Sequence, residues 1–131
     1  MVEEIEELDQ EKREKIVIFA THGPEDPERT SLPFVVANAA LAMDVEVTVM
    51  LQGIAVLIAQ RGTADHVFAA GLPPLKDLMN SFLEQGGNLI VCTPCINERK
   101  IDKEGLIEGA VPVKAGRAVM EILEATNVLN Y

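Results

Sequence analysis

A chain of 131 residues that is 48% apolar is long enough for one packed domain and too apolar to remain disordered. Its formal net charge of −10 argues against nucleic acid and against anionic membranes, both of which need a basic surface. There is no N-terminal apolar signal, and Leu32–Met43, the longest mostly apolar run, is broken by Pro33 and Asn38 and is too short to span a bilayer, so the expected location is the cytoplasm.

Residues 1–14 read as an acidic extension. Through Lys15 the segment holds seven acidic side chains against Lys12, Arg13 and Lys15, which supplies −4 of the total charge. Val2, Ile5 and Leu8 recur every third position, the pattern of a thin helical stripe. Such a stripe suits a solvated helical extension or a helix docked on a neighbouring subunit. Residues 15–131 form a single domain. Ile16–Ala20 is continuously apolar, the mark of a strand buried on both faces. It runs into Thr21-His22-Gly23-Pro24 and then Glu25-Asp26-Pro27, where Pro27 suits the start of a helix. That helix extends to about Met43, with Pro33 marking either a kink or a later start near Ser31. Arg29 is expected to pair with Glu25 or Asp26, and Asn38 to be a hydrogen-bonded amide on an otherwise apolar segment.

Val45–Leu51 is a second strand, whose half-alternating pattern points to an outer position or one wet face. Gly53–Gln60 reads as a short helix, and Thr63–Gly71 as a loop with a short strand or turn. Pro73-Pro74 opens a helix through Gln85, with Leu75, Leu78, Met79, Phe82 and Leu83 on one face and Gly86-Gly87 as its stop. Asn88–Val91 is a third strand, followed by helical pieces at Ile96–Lys100 and Asp102–Ile107. Ala110–Val113 is a strand that Pro112 confines to an edge or a strand end, Ala118–Ala125 a helix, and Val128-Leu129 a final strand. Strands alternating with helices predict an α/β fold, a three-layer α/β/α sandwich on a mainly parallel sheet. With Phe and Tyr scarce and Trp absent, its core must be aliphatic.

The chemistry concentrates where the third strand meets Cys92-Thr93-Pro94-Cys95, which contains the two cysteines of the chain. Pro94 ends the strand and favours a helix start, with Thr93 as the cap. Cysteines at the carboxyl end of a strand and the amino end of a helix lie on the edge where open α/β sheets bind ligands, and helix N–H groups there favour a thiolate. Inert buried thiols, a thioredoxin-type dithiol and a zinc site are the alternatives. The last is weak, because His22 and His66 lack ligand spacing, and no metal or other cofactor is expected. His22, in the loop after the first strand, is a candidate partner for a thiolate or for a substrate. His66 reads as a surface residue. No dinucleotide, P-loop or Ser-His-Asp signature is present.

In their order and spacing, Thr21-His22-Gly23-Pro24-Glu25-Asp26-Pro27, Ala37–Met43 leading into Val45-Glu46-Val47, Gly86-Gly87-Asn88, Val91-Cys92 and Leu106–Ala110 resemble the DsrE/DsrF/DsrH-like family, which includes the TusD-type sulfurtransferase subunits. The resemblance covers residues 15–131. It implies a parallel sheet of about five strands, assembly into homotrimers or homohexamers, and a cysteine at the position of Cys92 that carries sulfur as a persulfide between donor and acceptor proteins. By position that role maps onto Cys92. Cys95 lies outside the general pattern, leaving three roles open: resolving a Cys92 persulfide, receiving the sulfur, or assisting by a hydrogen bond. The expected function is therefore a sulfur carrier or sulfurtransferase, with Cys92 and Cys95 as reactive groups and His22 and Thr93 contacting the substrate. A dithiol–disulfide oxidoreductase using the Cys92–Cys95 pair is the alternative enzyme, and an oligomeric binding module with structural thiols the alternative without chemistry.

Overall fold

The computed structural model describes residues 13–131. The helical stripe read from Val2, Ile5 and Leu8 lies outside them.

The apolar runs become five parallel strands: β1 (Lys15–Ala20), β2 (Glu46–Leu51), β3 (Asn88–Cys92), β4 (Ala110–Val113) and β5 (Asn127–Asn130). They lie in the order β4-β3-β2-β1-β5. Four α-helices connect them: α1 (Pro27–Ala42), α2 (Leu75–Glu84), α3 (Thr93–Glu98) and α4 (Ala115–Glu124). Strands β1 to β4 step steadily across the sheet, and the chain then crosses back to place β5 beside β1. Right-handed crossovers require this reversal to pass over the opposite face, and the packing follows that rule. Ile18, Val49, Leu51, Leu89 and Val91 pack with Phe34 and Ala37 of α1 and with Leu75, Met79 and Phe82 of α2. Val17, Phe19, Met50, Ile90 and Val113 face the other way, onto Ala118 of α4. The three-layer α/β/α sandwich is thus present, with one face covered by α1, α2 and α3 and the other by α4 alone.

Local chemistry explains most boundaries. Asp26 caps α1, its Oδ1 accepting from Arg29 N–H at 3.1 Å, and Pro27 occupies the first turn. Pro33 lies inside the helix rather than at its start. Arg29 pairs with Asp26, and Asn38 is satisfied between α1 and α2, donating to Leu78 O at 3.1 Å and accepting from Gln85. The Phe34 and Phe82 rings meet edge to face with centroids 5.6 Å apart, locking α1 to α2. Gly53–Ala59, Thr63–His66 and Lys103–Gly105 are 3-10 turns, too short and too irregular to show a helical stripe.

One expectation about the sheet is overturned. β2 is the central strand, and every residue of it after Glu46 is buried. Thr48 mimicked a wet position because it is polar, but its hydroxyl donates to Glu121 Oε2 at 3.2 Å within the packed face beneath α4. β4, by contrast, is an edge strand that tolerates Pro112. No helix among the described residues is long and apolar enough to cross a membrane.

Candidate functional site

Strand register lines up the sheet edge that carries the cysteines. Ala20 of β1 pairs with Leu51 of β2, and Leu51 with Val91 of β3, so these three residues lie on one level. β1 and β2 end there, and the chain leaves the sheet at Thr21 and Gln52, while β3 runs one residue further, to Cys92. Cys92 ends β3 opposite Val113 of β4 and remains half-buried. Pro94 then turns the chain into α3 and brings Cys95 back toward it, with a Cα–Cα distance of 5.2 Å. The two sulfur atoms are bonded as a Cys92–Cys95 disulfide.

Thr93 does not cap α3. Cys92 occupies the cap position without a side-chain hydrogen bond, and Thr93 is the first helical residue, buried against the domain. The hydroxyl loses the capping role because the helix starts one residue earlier than the sequence indicates, with Pro94 at its second position. With only six residues, α3 also has too few aligned peptides to place much dipole charge on a sulfur. The polar contact to the pair comes from elsewhere: the backbone N–H of Gly53, in the turn after β2, donates to Cys95 Sγ at 3.3 Å. Gly53 adopts φ +56, a conformation that favours glycine, and an added Cβ would meet nothing. Sequence reasoning did not single out this donor, because a main-chain N–H carries no residue signature.

His22 is on the same edge, but β2 separates its strand from the cysteine strand, about 10 Å away at ordinary strand spacing. Its Nδ1 lies 3.5 Å from Thr21 Oγ1, whose hydroxyl donates to Tyr131 O at 2.7 Å. The loop is coupled to the cysteines indirectly. Gly23 packs so closely on the next turn that a Cβ there would sit 2.5 Å from Ile54 O, and Ile54 follows Gly53. His66 is exposed in its 3-10 turn, on another part of the surface. Among the described residues, no three His, Cys, Asp or Glu side chains are grouped to hold a metal ion.

A cleft of about 610 Å³ opens at the opposite sheet edge, beside Asn80, Glu84, Gly87, Asn88 and Gly109. The cysteines are remote from it. Nor do they flank the switch point between β1 and β5, where reversal of strand order makes a crevice. The site has a bonded sulfur pair and one N–H aimed at it, an arrangement suited to breaking and making S–S bonds.

A model of the DsrE/DsrF-like family matches residues 14–131. The uncharacterized protein MJ0760 of Methanocaldococcus jannaschii is 29% identical over 120 residues, covering 92% of this chain but 40% of its own length. The uncharacterized protein MJ0989 of the same organism is 26% identical over 117 residues, covering 89% of this chain and 99% of its own. Among solved structures, the ychN protein from E. coli superposes with a TM-score of 0.77 at 22% identity, over 90% of this chain and 99% of that one. MTH1491 from Methanobacterium thermoautotrophicum gives 0.66 at 15% identity, over 90% and 99%. At such identities the structural likeness speaks for the fold alone.

Proposed function

The chain belongs to the DsrE/DsrF-like family, and from that premise we propose that it is a sulfur carrier or sulfurtransferase that holds sulfane sulfur on Cys92. The thiolate of reduced Cys92 attacks the sulfane sulfur of a donor persulfide. The donor S–S bond breaks, its thiolate leaves, and Cys92–S–SH forms with no net oxidation. A thiolate on an acceptor protein then attacks the outer sulfur and regenerates the Cys92 thiolate. The observation that carries this reading is the half-buried Cys92 at the carboxyl end of β3, accessible yet sheltered on the sheet edge. Protein donors and acceptors in the cytoplasm are the proposed partners, with His22, across β2 on the same edge, as a contact for the donor.

Intact mass of the reduced protein, before and after exposure to inorganic polysulfide, tests the proposal. One sulfur atom is gained by the wild type or by Cys95→Ser, and none by Cys92→Ser; equal loading of the Cys92 variant would refute it. The bonded Cys92–Cys95 pair favours one other reading, a dithiol–disulfide oxidoreductase. That enzyme would cycle by losing and regaining two hydrogens without ever taking up sulfur. A binding module with structural thiols would resist alkylation at both cysteines in the native state.

A further inference from the structure

The contact between the two sulfur atoms bears on how sulfur leaves the site, and the argument rests on the carrier reading above. A persulfide on Cys92 has an inner sulfur, Sγ, and an outer one. Cys95 Sγ lies against the inner sulfur, close enough to be bonded to it, with a Cα–Cα distance of 5.2 Å. Attack by Cys95 on the outer sulfur, which would move the sulfur to Cys95, requires rotation of the side chains out of this contact. Attack on the inner sulfur requires none.

We propose that Cys95 is a built-in discharge group: it expels the sulfur carried on Cys92 as hydrosulfide and closes the Cys92–Cys95 disulfide. In this step the Cys95 thiolate supplies the electron pair for the new Sγ–Sγ bond. The bond from Cys92 Sγ to the outer sulfur breaks, and its electrons leave with that sulfur as HS⁻. Two thiols are oxidised to one disulfide while the sulfane sulfur is reduced to sulfide, so no outside oxidant enters. A dithiol reductant then returns the pair to its loading state. Gly53 fits this scheme as a positioning residue. Its N–H, 3.3 Å from Cys95 Sγ, is an electrostatic donor at the sulfur that bears negative charge before attack and again when the disulfide is reduced. Loaded protein that meets no acceptor thus empties itself, and sulfur delivery becomes a competition between transfer and discharge.

The test is anaerobic and uses the full chain, reduced and freed of reductant, loaded with inorganic polysulfide and desalted at low protein concentration. Intact mass and free sulfide are followed together. The wild type is expected to pass from the persulfide to the disulfide mass with one sulfide released per chain, at a rate independent of protein concentration. Cys95→Ser and Cys95→Ala should keep the sulfur longer by on the order of a hundredfold, since they lose the intramolecular attack. Discharge of both variants at the wild-type rate, or a wild-type persulfide as durable as theirs, overturns this inference and leaves the carrier reading intact. Failure of the wild type and both Cys95 variants to load refutes the carrier reading itself, and the inference falls with it. Loading of Cys92→Ser but not of the Cys95 variants overturns both.

Discussion

Lys15 Nζ lies 2.6 Å from Glu121 Oε2, an ion pair buried between α4 and the sheet with both side chains less than a tenth exposed. Glu121 is also bonded by Arg117 Nε at 2.9 Å and by Thr48, and Lys15 reaches Glu124 at 3.0 Å. Burial penalises the charge on each partner, but the hydrogen bonds outweigh it. Glu121 is held below the ordinary carboxylate value of 4.5, chiefly by Lys15 and Arg117. Lys15 is held above 10.5 by Glu121 and Glu124. A depressed acid contributes stability that is complete above its unfolded pKa and is lost as pH falls through the folded one. A raised base contributes stability that is complete below its unfolded pKa and is lost as pH rises through the folded one. The network is therefore intact from about pH 5 to pH 10 and is lost at the extremes. Replacing Glu121 with Gln leaves Lys15 paired with the exposed Glu124 alone and should cost about 1–3 kcal/mol at neutral pH. The same variant should flatten the acid limb of the stability curve measured by urea denaturation. Lys15→Met combined with Glu121→Leu should cost less than the two single changes together, because no buried charge is left alone. An additive result would remove the network from the account.

The Gly23–Ile54 contact yields a second pair of expectations. A Cβ on Gly23 would lie 2.5 Å from the backbone oxygen of Ile54, so Gly23→Ala must displace the turn that presents the Gly53 N–H. Overpacking of this kind costs about 1–3 kcal/mol, and the discharge of loaded sulfur should slow with it. Gly116, in the first turn of α4, has open space where its Cβ would stand. Gly116→Ala should therefore stabilise the fold by up to about 1 kcal/mol and leave discharge unchanged. Thermal melts beside the sulfide-release assay separate the two. A Gly23 variant with normal discharge would show that the turn does not govern Cys95.

How far the sequence could be read follows from what kind of signal each residue leaves. Continuous apolar runs at Ile16–Ala20 and Leu89–Val91 announced buried parallel strands, and the Leu75, Leu78, Met79, Phe82 face announced α2, because burial acts on side chains. Cys92 and Cys95 were legible by spacing, and the strand end placed them on the functional edge. The position of β2 was misjudged because Thr48 is polar, and its buried partner Glu121 is 73 residues away. The ion pair was hidden the same way: Lys15 reads as the tail of an acidic extension until the fold brings α4 over it. The Gly53 N–H leaves no trace in composition or pattern at all.

His22 provides a prediction in which kinetic phases are resolved. It shares the sheet edge with the cysteines but stands beyond β2, with Thr21 as its hydrogen-bond neighbour. From there it can meet a donor molecule but is poorly placed to act on the Cys92–Cys95 pair. His22→Gln should slow loading by polysulfide while the persulfide, once formed, discharges at the wild-type rate. Faster or slower discharge in this variant would place the imidazole in the resolving step instead.

Self-association is expected through the face carrying α4. This helix inverts the usual arrangement, turning Ala118 and Glu121 toward the sheet and leaving Val119, Met120, Ile122 and Leu123 exposed, the last at 78%. Two neighbours extend the apolar surface. Val111 of β4 pairs with Ile90, and Val128 of β5 pairs with Val17, so both stand on the same side of the sheet as α4, and both are substantially exposed. A contiguous apolar side of this kind is rare on a protein that works as a monomer. The family resemblance, with its trimers and hexamers, favours a second copy of the chain as its occupant. Sedimentation equilibrium at micromolar concentration should give a mass several times that of the chain. Leu123→Lys should shift it toward the single chain without lowering the yield of folded protein, because Leu123 contributes little to the core of its own subunit. A wild-type chain that sediments as a monomer across this range would leave the face to a different partner.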